Sequence, residues 1–213
     1  MTRRCPVCRS EDIAGFAEVE GTTYSRCAPC RARFMDPEHH PSRQAEHAHY
    51  AHHENDPTDP RYRRFLSKLS NPLLARLPVG AVGLDFGCGG GSALAAVFEE
   101  AGHAMALYDP AFAADTSVLQ RTYDVITCTE VIEHLHDPAA IFAQLDRLLR
   151  PGGWLGLMTR FQDDDAGFPT WYYRRDPTHV VFYREETLRW IAEAMGWSCE
   201  IPEPHVAVMR KQF

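Results

Sequence analysis

Apolar residues recur along this chain with three different periods. Between residues 16 and 26, FAEVEGTTYSR alternates apolar and polar positions around Gly21, which predicts a short hairpin. From 61 to 77, RYRRFLSKLSNPLLARL puts Phe65, Leu69, Leu73 and Leu77 at helical spacing, and the preceding AEHAHYAHHEN fits a helix with His49, His52 and His53 on one side. Further on the pattern becomes short apolar runs. AVGLDF and HAMALYDP read as buried parallel strands, the second ending in Asp109, and DVITC as another. Between the first two, SALAAVFEEAG reads as a helix with Ser92 as N-cap and Gly102 at its close. This alternation predicts an α/β, Rossmann-like doubly wound sheet with a ligand at the carboxyl ends of its strands.

The 213 residues, 45% hydrophobic and 24% charged, suffice for one main core with a small appendage. No apolar run approaches the roughly 18 residues a membrane span needs. MTRRCPVCRS has no apolar stretch behind its positive charges, so a cytoplasmic protein without membrane contact is expected. The net charge of −7 sits in the middle: residues 1–35 carry +2, 36–76 carry 0, 77–150 carry −7 and 151–213 carry −2. That acidic centre is a poor surface for a phosphate backbone. The cluster Arg61, Arg63, Arg64 and Lys68 is expected to be a solvated helix face.

Four of the seven cysteines form two C-x-x-C pairs, Cys5/Cys8 and Cys27/Cys30, with 18 residues between them. Four thiolates at two tight turns close a tetrahedron around zinc, so residues 1–35 are expected to be a zinc ribbon. With four sulfur ligands and no open position, the ion would be structural. A segment of that size builds little core, and metal binding would supply its folding energy. Residues 36–78, with six histidines between 39 and 53, are expected to be a linker and helical lid, and 79–213 the main domain.

GLDFGCGGG at 83–91 brings five glycines directly after an apolar run. Side chains at Gly87, Gly89 and Gly91 would block a ligand or demand a disfavoured backbone angle. Asp109, at the tip of the second strand, is placed to accept both hydroxyls of a ribose. A nicotinamide dinucleotide and S-adenosylmethionine both fit that much. The methyl donor is favoured by the G-x-G-x-G spacing, by Asp85 two residues before the first of these glycines, and by the lack of a second domain for a hydride acceptor.

From Leu84 onward, LDFGCGGG, LYDP, YDVITCTEVIEHLHDP, LLRPGGWLGLMT and WIAEAMGW follow one another in an order that resembles class I S-adenosylmethionine-dependent methyltransferases. The resemblance implies a seven-stranded sheet whose last hairpin is reversed, here SCEIPEP and HVAVMRK. It also implies cofactor contacts at Asp85, Gly87, Cys88, Gly89, Gly91, Tyr108, Asp109, Thr129 and Glu130. Only 14 residues separate Asp109 from Asp124, so the third strand is expected to be short.

If Glu130 to His134 form a helical turn, Glu130, Glu133 and His134 share one face at the rim of the pocket. With the later His179, this resembles the Mg2+- or Mn2+-binding set of small-RNA 3'-terminal 2'-O-methyltransferases, and the stretch also resembles ubiquinone-pathway catechol O-methyltransferases. In metal-free relatives the same residues only line the pocket, and then His134 or His179 is the candidate base, with Glu130 beside it. The leading expectation is O-methylation of a small molecule. The alternative is an RNA methyltransferase whose ribbon docks RNA. In the segment 159–183, Trp171, Tyr172 and Tyr173 would either stack on substrate or anchor the loop, and Arg174 and Arg175 hint at an anionic acceptor.

Overall fold

The computed structural model describes residues 3–50 and 56–212. His52 and His53 lie outside the described residues, as does the side chain of His47. The chain opens with a hairpin, β1 (Ile13–Val19) and β2 (Thr22–Cys27), followed by β3 (Arg33–Met35). Glu20 and Gly21 both take positive φ, 55° and 80°, so the turn twists in the sense the paired strands require. Then come α1 (Arg43–Tyr50) and α2 (Pro60–Leu74). Asp59 caps α2 by accepting from the Arg61 amide, and Pro60 starts it with a fixed φ. Leu66, Leu69 and Leu73 of α2 are buried, while Phe65 and Leu77 pack on the same cluster from partly exposed positions.

The main domain runs β4 (Val82–Phe86), α3 (Ala93–Glu100), β5 (Ala104–Tyr108), β6 (Tyr123–Thr129), α4 (Pro138–Leu148), β7 (Leu149–Met158), β8 (Val181–Phe182), α5 (Glu185–Ala194), β9 (Trp197–Glu203) and β10 (Val206–Lys211). Ser92 caps α3 with its hydroxyl on the Ala95 amide, and Gly102 follows the helix at φ 86°. The central sheet has the order β5-β4-β6-β7-β10-β9. β5, β4, β6 and β7 are parallel, and β10 enters antiparallel between β7 and β9, the reversed last hairpin. The sheet thus has six strands, not seven. Where the third was expected, the chain makes a 3-10 turn at Thr116–Gln120, because 14 residues cannot supply a crossover helix and a strand. No helix among the described residues is long and apolar enough to cross a membrane.

The amino-terminal segment does not stand apart. β3 pairs antiparallel with β8, giving a second sheet β1-β2-β3-β8 that joins residues 13–35 to the loop after β7. Tyr24 meets Phe168 and Phe182 edge-on at 5.0 and 6.0 Å. The buried Arg33 forks onto Asp165 at 2.7 and 2.9 Å. Asp36 closes the small sheet by accepting from Thr23 (2.5 Å) and Ser25 (2.8 Å) and pairing with Arg3.

Burial works to raise the Asp36 carboxyl's pKa, but the bonds from Thr23 and Ser25 and the Arg3 charge outweigh it and hold it below its ordinary value. A group depressed in the folded state stabilises above its unfolded pKa, and that stability is lost as the pH falls through the folded value. Asp36→Asn is therefore expected to cost about 1–3 kcal/mol at pH 7 in urea unfolding. The gap to wild type should narrow as the pH falls below about 4. A variant as stable as wild type at pH 7 contradicts this assignment.

Candidate active site

The carboxyl ends of β4, β5 and β6 open onto a cavity of about 690 Å³, roofed by Glu46 and Tyr50 of α1 and Tyr62 and Phe65 of α2. Its floor at one end is the glycine loop. Gly87 takes φ 78°, and a Cβ there would come within 2.4 Å of a Val131 methyl, so neither the backbone nor the space admits a side chain. The amides of Gly87 and Cys88 both donate to the Tyr108 carbonyl, at 2.7 and 3.2 Å, which ties the loop to the end of β5. Asp85 lies beneath the loop, buried, accepting from Ser92 (2.7 Å) and Thr127 (2.8 Å). Burial raises its pKa against those two bonds.

Asp109 lines the cavity but already has backbone partners. Oδ2 accepts from the Gly89 amide (3.1 Å), and Oδ1 from those of Ala111 (2.8 Å) and Phe112 (3.2 Å). A carboxylate offers about four lone-pair sites, so this one both shapes the loop and keeps room for about one further donor. Gly89, Tyr108, Thr129 and Glu130 also line the cavity. Cys88 and Gly91 instead face a pocket of about 40 Å³ under α2, shared with Asp85, Gly87, Tyr62 and Thr129. The Thr129 hydroxyl is buried without a hydrogen-bond partner among the described residues.

At the other end, Glu130 to His134 do not form the expected helical turn. Glu130 sits in left-handed backbone at φ 52°, its amide still bonded to Met158, and the chain then makes a 3-10 turn over Ile132–His134. Glu130 and Glu133 therefore do not share a helical face. The Tyr173 hydroxyl joins them instead, 3.2 Å from Glu130 Oε2 and 2.5 Å from Glu133 Oε1, with Thr159 Oγ1 at 3.1 Å. Glu133 is fully buried, and its Oε2 lacks a hydrogen-bond partner among the described residues. Burial pushes both carboxyl pKa values up, and the Glu133 charge adds to the rise at Glu130.

Glu133, His134 and His179 each bring one ligand atom within 4.8 Å of the others; Glu130 is not part of that group. His134 Nδ1 lies 3.1 Å from the Thr178 carbonyl and His179 Nδ1 2.7 Å from the Tyr173 carbonyl. A carbonyl only accepts, so each Nδ1 carries the hydrogen and each Nε2 the lone pair. Imidazoles that present Nε2 while a backbone carbonyl fixes the other nitrogen are arranged as metal ligands or as bases. Burial and the neighbouring His134 lower the His179 pKa to about 4, so it is neutral at pH 7. Asp176, held to about 2 by its bonds from Thr178 against the cost of burial, stands 3.8 Å from His179 Nε2 and 3.1 Å from His49 Nε2 of α1.

The aromatic loop divides. Trp171 packs on Phe168 and Phe182 and Tyr173 is buried, so both anchor, while Tyr172 is exposed under Arg160. Arg174 is also buried, within 3.4 Å of the Tyr24 hydroxyl and bonded to the Pro169 carbonyl, and neither it nor Arg175 reaches the cavity. Sequence reasoning missed the roles of Tyr173 and Asp176 and the roof residues Glu46, Tyr50 and Tyr62. Only Asp176 had a local signal, the D-x-T turn in which it accepts from the Thr178 amide and hydroxyl.

In the amino-terminal segment, Cys5 and Cys30 sulfurs are 3.5 Å apart, those of Cys8 and Cys27 3.4 Å, and all four lie within 4.8 Å of one another. These separations are too long for disulfides and suit sulfurs around one ion. The bond shared with Cys5, together with burial, holds the Cys30 thiol well above its ordinary pKa, and burial pushes Cys27 up to about 12, a cost to the thiolate forms that a dication among the four sulfurs would offset.

A model of the methyltransferase domain matches residues 50–200. The chain is 51% identical over 37 residues to the ubiquinone biosynthesis O-methyltransferase of Leptothrix cholodnii, and 49% identical over 37 residues to that of Thiobacillus denitrificans. Each match covers 17% of this chain and only 16% of the relative. Among solved structures, Burkholderia thailandensis 1,6-didemethyltoxoflavin-N1-methyltransferase, with its substrate and S-adenosylhomocysteine bound, superposes with a TM-score of 0.53 at 17% identity, over 93% of this chain and 99% of that one. A chain from a Haloferax volcanii complex containing the Trm112 methyltransferase activator also gives 0.53, at 14% identity, over 78% and 97%. At such identities the two structures speak for the fold alone. The family match covers well over half of the chain, so the glycine loop, the six-stranded sheet and the cavity above them belong to a class I S-adenosylmethionine-dependent methyltransferase.

Proposed function

We propose that this enzyme methylates a hydroxyl oxygen of an uncharged small molecule bound between α1 and the Glu133–His134–His179 cluster. The observation that carries this reading is the lining of the cavity. It joins the glycine loop to the two imidazoles, and its carboxylates are Glu46, Asp109, Glu130 and Asp176, with no lysine or arginine among the described residues. The undescribed residues 51–55, AHHEN, add none. An anionic acceptor, including the phosphates of RNA, would face the carboxylates of Glu46, Asp109 and Asp176 there, while Arg160, a cation acting on the lining from outside, bears on Glu130, whose pKa burial raises to about 8. The short stretch shared with ubiquinone O-methyltransferases supports oxygen as the target atom.

In this reading Gly87, Gly89 and Gly91 seat the methionine end of the donor, and Asp109 accepts from its ribose. The acceptor oxygen attacks the methyl carbon in line with the carbon–sulfur bond. The electron pair of that bond stays on sulfur, and the hydroxyl proton leaves to Nε2 of His134 or His179. Glu133, His134 and His179 have the donor set for Mg2+ or Mn2+, which when bound would polarise the acceptor hydroxyl. Glu130, outside that set, holds its carboxyl toward the pocket through Tyr173. Four thiols suited to zinc persist in a reducing compartment, which supports a cytoplasmic location.

Three measurements check this reading. Asp109→Ala is expected to weaken S-adenosylmethionine binding at least tenfold in calorimetry, since it removes a ribose acceptor and three loop contacts together; unchanged affinity contradicts the donor assignment. For the acceptor end, Mn2+ binding followed by electron paramagnetic resonance with S-adenosylhomocysteine present is expected in wild type and lost in Glu133→Gln/His179→Ala. Absence of binding in wild type removes the metal and leaves the imidazole as base. Separately, turnover of a neutral vicinal diol or catechol should persist in 0.5 M salt; turnover confined to RNA and abolished by that salt would overturn the small-molecule reading.

A further inference from the structure

The amino-terminal ribbon and the acceptor end of the cavity are joined by a continuous chain of hydrogen bonds. β3 begins three residues after Cys30 and pairs with β8 through Arg33 with Phe182 and Phe34 with Val181. The Met35 amide donates to the Val180 carbonyl at 2.8 Å, and the Val180 amide donates to the Glu133 carbonyl at 2.8 Å. One residue beyond β8, Tyr183 is fully buried, and its hydroxyl donates to the Ile132 carbonyl at 3.0 Å. The same tyrosine lies within electrostatic reach of the Cys5 and Cys30 thiols. His179 immediately precedes Val180, and the Thr178 carbonyl fixes His134. Every member of the Glu133–His134–His179 group thus lies in, or is bonded to, the segment 178–180 that leads directly into β8. The donor half has its own anchorage: the loop after β4 is tied to Tyr108 and Asp109 at the opposite sheet edge, and it meets the turn through Val131, which packs at Gly87.

We infer that the four-cysteine ribbon is the positioning frame of the acceptor site, with Tyr183 and the Met35–Val180–Glu133 ladder transmitting its order to the 3-10 turn at Ile132–His134. The inference deepens the proposed acceptor site and rests on it for the functional consequence. A ribbon serving only to dock an outside partner needs neither the ladder nor a tyrosine hydroxyl spent on the Ile132 carbonyl. Two backbone carbonyls of one short turn, both gripped from the ribbon side, fix where Glu133 and His134 project.

The test uses the full chain as zinc-loaded wild type, as chelator-stripped wild type and as zinc-loaded Tyr183→Phe, a change that removes one hydroxyl and keeps the ring. Amide hydrogen exchange read by mass spectrometry is expected to rise at least tenfold on stripping, and at least threefold in Tyr183→Phe, in peptides spanning 130–136 and 176–183. Peptides of β4 and β5, and the affinity for S-adenosylhomocysteine, should change less than twofold. Mn2+ affinity should fall at least fivefold in Tyr183→Phe. Unchanged exchange at 130–136 in Tyr183→Phe overturns the inference, as does an equal rise across β4 and β5. If stripping unfolds the whole chain, the zinc-loaded Tyr183→Phe protein alone decides. If wild type binds no Mn2+, the divalent reading fails while the exchange result still judges the positioning role.

Discussion

Two carboxyl groups, Glu130 and Glu133, share a single phenol, and one of them is completely buried. Such a pair in a low-dielectric interior is costly unless protons or cations are shared, because desolvation and mutual repulsion both disfavour the charged forms. Everything around it answers that cost. Tyr173 donates into the pair, Thr159 meets the same phenol, and His134 and His179 each bring a ring nitrogen within 4.8 Å of a Glu133 carboxylate oxygen. Glu133 Oε2 has no hydrogen-bond partner among the described residues, and burial raises the pKa of its carboxyl, so the pair holds protons more readily than exposed carboxylates do. Glu130, His134 and His179 line the same cavity as the glycine loop.

Keeping that arrangement in place is a problem of long-range packing. The 3-10 turn that carries Glu133 and His134 has no regular helix to hold it, and Glu130 ahead of it takes backbone that a residue with a side chain adopts at some cost. The holding groups come from sequence positions far away: Val180 and Tyr183 on one side and, through them, β3 of the amino-terminal segment. Phe16, Tyr24, Phe168, Trp171 and Phe182 form one aromatic cluster that carries the contact from the hairpin to Tyr173. The ribbon and the catalytic domain therefore share a core.

Much of the fold was legible because periodicity reports burial. The hairpin around Gly21, the leucine face of α2 and the capped helix after the glycine loop follow from local pattern and turn chemistry, while the reversed carboxyl-terminal hairpin was implied by the family resemblance. The cysteine spacing likewise placed four sulfurs together. Other features have no local signature. β8 is only two residues long and exists because β3 lies beside it. The positive φ at Glu130 comes where its amide still bonds Met158 in the sheet and the chain turns away into the 3-10 turn, a change of direction with no signature in the local sequence. Tyr173 looked like one of three loop aromatics, and only the folded chain shows its hydroxyl between two carboxylates. Asp109 was readable as the residue at the tip of the second strand, but not as the acceptor for three backbone amides of its own neighbourhood.

The central claim is that one cavity holds the donor's sulfur on the glycine loop facing Glu130 and His134, with the acceptor between them. A crystal structure of the S-adenosylhomocysteine complex tests it most directly. The account predicts the ribose on Asp109, the amino-acid end over Gly87 and Gly91, and the sulfur turned toward the Glu130–His134 side beneath α1. A nucleoside bound away from Asp109, or a sulfur pointing away from the two imidazoles, would contradict it.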